Sequence, residues 1–439
     1  MFRIKLPYAE ELKEKDDKID IVEYHLYSSI FEATPKLSID FNVGYETPDA
    51  LKLYLGSSFP IQYTVETVKK TTETDEEGNE HVVEEIEKED AKDLVGMFVA
   101  QVRMQNAGTG ALVSVHCYSD FLAFQRSDIR KAYMGEYGNA IVENIAESNA
   151  TLSKYEQNVQ QTDNVATLYR SLGMNDIEIL QDHIGNMYTI NGGKPLFFVG
   201  LDAKLNFTSV NNIFEKVKKT DLLIMTPRTD DYESLKVSNE LMSNYVDPDE
   251  VTKVTAADYQ LIVGAEDSIF NIKNMVYYTN FLSENLDTTG YILKPSSVKK
   301  LNYPVDKIFI NTVNANRTVS VNNRPPTNLV YEAKNYFEAF EKLITVKVRL
   351  TDANTLKRLY TAGEVVTVVL PYIYSVYNGN YIIAEIEYGQ KTSVSFVEMV
   401  LIRPFIDEKW VEKLSDAKDS GNFKFPLAPA FDKSQLYSI

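Results

Sequence analysis

Between residues 328 and 343 the apolar side chains Leu329, Ala333, Tyr336, Phe337 and Phe340 recur every three or four positions, the spacing of one helical face. Directly after them Ile344, Val346, Val348 and Leu350 alternate with Thr345, Lys347 and Arg349, the two-residue period of a half-buried strand. The β-branched run 365–370 predicts another strand, and Asn378-Gly379, a pair favoured in type I′ turns, predicts a tight hairpin. Residues 381–388 and 392–402 read as a second hairpin. Together these elements predict a small barrel over 328–403, approached through Arg324-Pro325-Pro326, whose prolines cannot continue a preceding helix. The stretch holds no His and no Cys, so it reads as scaffold.

Upstream, residues 20–27 form a predicted strand, and Leu37, Ile39, Phe41 and Val43 alternate cleanly with Ser38, Asp40 and Asn42. Strands over 51–55, 61–68, 95–104 and 111–118 complete a first β unit over residues 1–118, the last two joined by the turn-rich run 106–110. An acidic segment at about 67–93, centred on Asp75-Glu76-Glu77-Gly78-Asn79, predicts a long hairpin projecting from that unit; a solvated loop is the alternative. From Ser119 the period becomes helical, at Ile141 and Ile145, around Ala166, Leu168 and Leu172, and at Ile177, Leu180 and Ile184. A short strand at 187–190, the turn Asn191-Gly192-Gly193, and strands at 196–201 and 205–208 follow. Residues 119–210 thus read as a helix-plus-hairpin domain. Residues 211–327 are irregular, with short strands at 222–225, 259–263, 274–278, 291–293 and 307–310 contributing to the second barrel. Residues 404–439 form an extended tail whose Phe423, Phe425, Leu427, Phe431 and Tyr437 stand among prolines, and which lies on its own domain or docks on another chain. The fold class expected is α+β and β-rich: two small antiparallel β-barrel domains, an inserted helix-plus-hairpin domain and an extended C-terminal tail.

Composition narrows the function. The 439 residues are 44% hydrophobic, enough for sizeable cores, and the formal net charge of −18 argues against a surface that grips phosphates. The single Cys117 excludes an internal disulfide and a thiolate zinc cluster. Residues 1–20 lack the apolar core of a signal peptide, and no stretch approaches the roughly 20 apolar residues of a membrane span. The sequons at Asn149, Asn206 and Asn316 therefore read as chance. The 28 Tyr and 21 Phe suit both β cores and broad interfaces.

No catalytic constellation emerges. His116 and Cys117 are neighbours on one strand and face opposite ways, so they cannot act as base and nucleophile, and Cys117 reads as a buried structural thiol. His25 and His183 read as satisfied core histidines. The carboxylates near His81 match neither a calcium loop nor a zincin, and the acids of 228–233 read as a solvated loop. No catalytic residue, metal site or cofactor is expected.

Three stretches carry a resemblance. The first is Tyr118-Ser119-Asp120-Phe121-Leu122 running to Arg130, Tyr133-Met134-Gly135, and Gly138-Asn139-Ala140-Ile141-Val142-Glu143-Asn144-Ile145-Ala146. The second is the helix from Asp176 leading to Asn191-Gly192-Gly193 and Leu205-Asn206-Phe207. The third begins at Asn328 and includes Ala362-Gly363-Glu364 and Gly379-Asn380-Tyr381-Ile382-Ile383. In this order they resemble the central baseplate hub proteins of contractile-tailed bacteriophages, a family shared with phage tail protein D and the hub part of type VI secretion spike proteins. Each is a soft pattern of apolar classes and glycines, and together they touch most of residues 20–403. The acidic hairpin looks like an insertion relative to simple members, and the tail has no counterpart.

The resemblance implies a homotrimer in which two barrels per subunit make a quasi-sixfold ring, adapting a hexameric tail tube to a trimeric spike while DNA passes through. The partners implied are a spike protein below and a tube or tube-adaptor protein above, in the virion baseplate, assembled in the host cytoplasm. Sequence-specific nucleic-acid binding and a stable membrane anchor are not expected. An acidic lumen would repel DNA phosphates. Lys347, Arg349, Glu385, Phe423, Phe425, Leu427, Phe431 and Tyr437 are the candidate partner-interface residues. The competing readings are a peripheral tail or baseplate adaptor that contacts a receptor, and a tail-associated peptidoglycan hydrolase.

Overall fold

Alternation sets the strands, and their inward residues set the core. The computed structural model describes residues 2–5, 19–44, 58–74, 80–88, 92–108, 110–122, 129–133, 136–162, 165–166, 169–170, 173–184, 195–217, 219–227, 245–246, 250–263, 291–293, 308–310, 344–351, 356–371, 374, 377–391 and 394–403. The first β unit comprises β1 (Phe2–Lys5), β2 (Ile19–Ser29), β3 (Lys36–Gly44), β4 (Ser58–Thr74), β5 (Glu80–Lys88), β6 (Lys92–Ala107) and β7 (Gly110–Ser119). Strand β4 outruns its partners in the main sheet, and its distal half pairs with β5. The register sets Glu66 opposite Lys88, Lys69 opposite Glu85, Lys70 opposite Glu84 and Glu73 opposite His81.

Helix α1 (Gly138–Ser148) follows, with Ile141, Val142, Ile145 and Ala146 buried along one stripe. Its first turn is closed from a distance, the Gly138 N–H donating to Thr162 Oγ1 at 2.9 Å. At its other end Asn149 is buried and its Oδ1 accepts from the N–H groups of Thr151 and Leu152. After β8 (Glu156–Val159), helix α2 (Asp176–Ile184) starts with a reciprocal capping box: Asn175 Oδ1 accepts from Glu178 N–H, and Glu178 Oε2 accepts from Asn175 N–H. The hairpin β9 (Leu196–Val199) and β10 (Lys204–Thr208) and helix α3 (Val210–Lys216) complete this segment. Two expectations change here. Residues 165–166 and 169–170 are not helical; they pair with Glu136–Tyr137 and Ala132–Tyr133, because backbone ladders with distant residues outweigh a weak local period. Helix α3 lies where an irregular stretch was expected, although Ser209, accepting from Asn212 N–H, and the spaced Val210 and Ile213 carry its signal.

The second unit comprises β11 (Leu222–Met225), β12 (Thr252–Thr255), β13 (Asp258–Val263), β14 (Ile344–Leu350), β15 (Val365–Val369), β16 (Gly379–Lys391) and β17 (Val394–Arg403). Tyr291–Leu293 and Ile308–Ile310 pair only with each other among the described residues. The helix expected over 328–343, the strands expected at 51–55, 187–190 and 274–278, and the tail lie outside the described residues. Asn378-Gly379 is not a type I′ turn. Asn378 Oδ1 accepts from Leu370 N–H at 2.7 Å and its carbonyl accepts from Arg403 Nη1, so the pair anchors a longer connection.

The expected pair of barrels does not occur among the described residues. The two units form one fourteen-stranded sheet in the order β1-β4-β6-β7-β3-β2-β16-β15-β11-β12, with β17, β14 and β13 branching from the other edge of β16 and β5 from β4. Among the described residues no pairing closes it. The reason is the length of β16, thirteen residues: along one edge its start pairs with β15 and its end with β2, while β17 occupies the other edge. Nor is the sheet wholly antiparallel, since β11 runs parallel to both β12 and β15. Alternation reports which face a residue takes, not which strand lies beside it, and that neighbour decides between closure and an open wall.

The inward face buries one continuous cluster, from Leu26, Phe41 and Val115 through Ile141 and Ile145 to Val346, Tyr388 and Leu401. Strand β9 lies between this cluster and a second one. Phe197 and Val199 join the first; Leu196 and Phe198 join Ile30, Val365, Ile382 and Ile402 in the other.

Candidate functional site at the seam of the sheet

On β14 the residues Ile344, Val346, Val348 and Leu350 are buried, so Lys347 and Arg349 project from the opposite face. Register extends that face in straight rows. Asp258, Arg349, Glu398, Glu387 and Tyr27 stand opposite one another across β13, β14, β17, β16 and β2. Gln260, Lys347, Val400 and Glu385 form the next row. These rows line an open groove of about 330 Å³. Three sequence-chosen residues, Lys347, Arg349 and Glu385, therefore share one surface. Phe423, Phe425, Leu427, Phe431 and Tyr437 lie outside the described residues. The face interleaves both signs, Arg349 Nε lying 3.4 Å from Glu398 Oε1 and Lys391 Nζ 3.5 Å from Glu23 Oε2.

Phe396 also belongs to this polar face, yet it is only 9% exposed. It stands opposite Gly389, and its ring lies so close that a Cβ on Gly389 would be 2.1 Å from Cζ. The edge-on ring of His25 meets it at 5.9 Å between centroids, and the Arg349 guanidinium stands 5.1 Å from its centroid. Gly389→Ala is expected to destabilise the protein by about 1–2 kcal/mol, the overpacking cost less the gain from a stiffer unfolded chain. Urea denaturation should show this loss, and Phe396→Leu in the same chain should recover most of it.

His25 and Glu23 stand two residues apart on β2 and so share this face. His25 Nε2 lies 2.8 Å from Glu23 Oε1, and its Nδ1 lies 2.5 Å from Glu387 Oε1 on β16. Burial pushes the imidazole down, but the hydrogen bonds and charges of Glu387 and Glu23 outweigh it and raise His25 above its ordinary value. His25 is therefore a partly exposed bridge between two carboxylates, not the core histidine expected. The spacing of Glu23 and His25 was visible in the sequence; Glu387, 362 residues away, was not.

A second ionic group lies within the second unit, next to its contact with the β9–β10 hairpin. Arg358 donates from Nε and Nη2 to Asp221, at 2.7 and 3.1 Å, and from Nη1 to both oxygens of Glu364. Its guanidinium stacks 4.0 Å from the Tyr360 ring centroid. Burial raises the Glu364 carboxyl, and Arg358 pulls it back. Beside it, Thr361 Oγ1 accepts from Leu201 N–H, and Gly363, at φ +90°, faces Phe198.

Cys117 is buried and its thiol is pushed up to about 12 by desolvation, which suppresses the nucleophilic thiolate. Among the described residues no group of three or more His, Cys, Asp and Glu could hold a metal ion, and no helix is long and apolar enough to cross a membrane.

No family model and no curated protein matches the chain. Solved structures do resemble it. The 43 kDa tail protein of prophage MuSo2 from Shewanella oneidensis shares 8% identity over 88% of this chain and 97% of its own, at a TM-score of 0.47. A tail protein from Neisseria meningitidis MC58 shares 10% over 88% and 93%, at 0.48. The E. coli c3393 protein, a type VI secretion component described as similar to the T4 tail proteins gp27 and gp5, shares 8% over 88% and 73%, at 0.43. The chain is thus structurally similar to prophage tail proteins and to a type VI secretion component.

Proposed function

We propose that this protein is a structural hub subunit of a tail baseplate, three copies of which form a quasi-sixfold ring between a hexameric tail tube or its adaptor and a trimeric spike, with DNA passing through. The observation that carries this reading is the single open sheet built from two β units. Among the described residues β13 pairs on one edge only, with β14, and β1 pairs only with β4. A long sheet with open edges invites pairing with other chains unless neighbours cover it, and head-to-tail contacts that close on themselves make rings. Ile262 and Val263, exposed on β13, fit a contact of that kind. The ordered sequence resemblance to hub proteins supports the same reading.

In this reading Lys347, Arg349 and Glu385 meet a neighbouring protein, and the tail residues Phe423, Phe425, Leu427, Phe431 and Tyr437 dock on a partner chain. The units 1–118, 119–210, 211–327, 328–403 and 404–439 are its working divisions, and the protein resides in the virion tail.

Mass photometry of the purified chain, alone and with the products of neighbouring genes, tests the proposal. Particles containing three copies are expected. A monomer that takes up no partner under assembly conditions would overturn the ring, and a particle with another copy number would favour the peripheral adaptor.

A further inference from the structure

The seam where residues 23–29 of β2 meet residues 385–391 of β16 is the place where the two β units become one sheet. Its inward side is apolar, with Tyr24, Leu26, Ile386 and Tyr388 buried. Its outward side is crossed by the imidazole of His25, which places a ring nitrogen against a carboxylate on each side of the ring. A carboxylate only accepts hydrogen bonds, and a neutral imidazole has one N–H and one lone pair. Both contacts are therefore satisfied together only by the doubly protonated ring. Loss of a proton sets a lone pair against a carboxylate oxygen and leaves Glu23 and Glu387 facing each other with less positive charge between them.

We propose that this seam is a proton-operated clasp: with His25 protonated on both nitrogens the two β units are locked edge to edge, and deprotonation loosens the outward side of their junction.

The surroundings tune the clasp without replacing it. Lys391 of β16 approaches the other oxygen of Glu23. On β3, Ser38 stands opposite His25, Asp40 opposite Glu23 and Lys36 opposite Tyr27, so the residue directly opposite the imidazole is uncharged. From β17, Phe396 covers the ring edge, and Arg349 of β14, paired with Glu398, stands against that phenyl ring. No cation among these reaches both Glu23 and Glu387.

The direction of the pH dependence follows. His25 is raised in the folded chain above the ordinary imidazole value of 6.5, so its stabilisation is fully present below 6.5 and is lost as pH rises through the folded value. Glu23 is lowered: burial opposes its charge, but His25 and Lys391 outweigh that, so its share fades only as pH falls through its own depressed value. The clasp is thus closed in weak acid, open in alkali, and weakened again in strong acid.

Hydrogen exchange on the full-length chain between pH 6 and pH 9, corrected for intrinsic rates, reads the seam directly. Protection of the paired amides of 23–29 and 385–391 is expected to fall about threefold on the alkaline side, the scale of one partly exposed charge-assisted bond, while the pairing of β6 with β7 stays constant. The His25 ring signals in the unmodified protein should titrate above 6.5. Glu387→Gln, which keeps the shape and removes one charge, should move that midpoint down. A His25 midpoint at or below 6.5 would overturn the clasp, as would seam protection that does not change with pH. A Glu387→Gln midpoint equal to that of the unmodified chain would do the same.

Discussion

Gly363→Ala is expected to cost about 3 kcal/mol, the sum of roughly 1–2 kcal/mol for an L side chain in left-handed backbone and roughly 1–3 kcal/mol for forcing atoms into a packed site. Gly363 has φ +90°, and a Cβ there would lie 2.6 Å from Cζ of Phe198. Neither side yields easily. The Gly363 N–H donates to Ile383 O at 2.8 Å, and Ile383 N–H donates to Glu364 O at 2.8 Å, so the turn is bonded on both sides to β16. Phe198 is 1% exposed among Ile30, Val365 and Ile382. Chemical denaturation of the purified chain measures the loss. Phe198→Leu in the Gly363→Ala chain separates the two costs, because it relieves the contact and leaves the backbone strain. Full recovery by Phe198→Leu would show that the backbone at Gly363 carries no strain.

Removing Arg358 should be almost as damaging. Arg358→Met leaves Asp221 and Glu364 close together without their shared cation. Breaking a fully buried pair costs roughly 3–5 kcal/mol, but Arg358 and Asp221 keep 38% and 42% of their side-chain surface, so about 2 kcal/mol is expected. Arg358→Lys should recover less than half, since an ammonium cannot fork to two carboxylates while stacking on Tyr360. The pH dependence carries a sign. Burial already raises Glu364, and without the guanidinium it rises further, so the penalty of Arg358→Met should shrink as the pH falls and the carboxyl takes up a proton. An Arg358→Met chain whose penalty is the same at pH 5 and pH 8 would show that charge at Glu364 is not the cause.

The first prediction concerns the contact of the inserted hairpin with the second β unit and the second an ionic group within that unit, and each depends on a partner far away in sequence. Ala362-Gly363-Glu364 stood out as a pattern, but the φ of Gly363 and the ring of Phe198 could not be read from it. Arg358 gave no signal at all. Its partners Asp221 and Glu364 lie 137 and 6 residues away, and a salt bridge has no period. The surface residues were more legible. Lys347 and Arg349 lie on the outward side of β14 because a strand that buries Ile344, Val346, Val348 and Leu350 must turn the intervening residues the other way.

What the amino-acid order determined by itself was local: strands at 36–44, 110–119 and 344–350, the stripe of α1, and which side of a strand such as β14 faces water. A period of two or of three to four is a property of neighbouring residues, and burial of one face suffices to enforce it. Only the tertiary structure decided that β16 outruns β15 and takes β2 as a further partner, so that two expected barrels become one open wall. It also decided that Phe396 lies on the polar face and is still covered, and that His25 finds its second carboxylate across the seam. These outcomes depend on which edge meets which, and edge pairing is fixed by the packing of the whole core, not by any short stretch of chain.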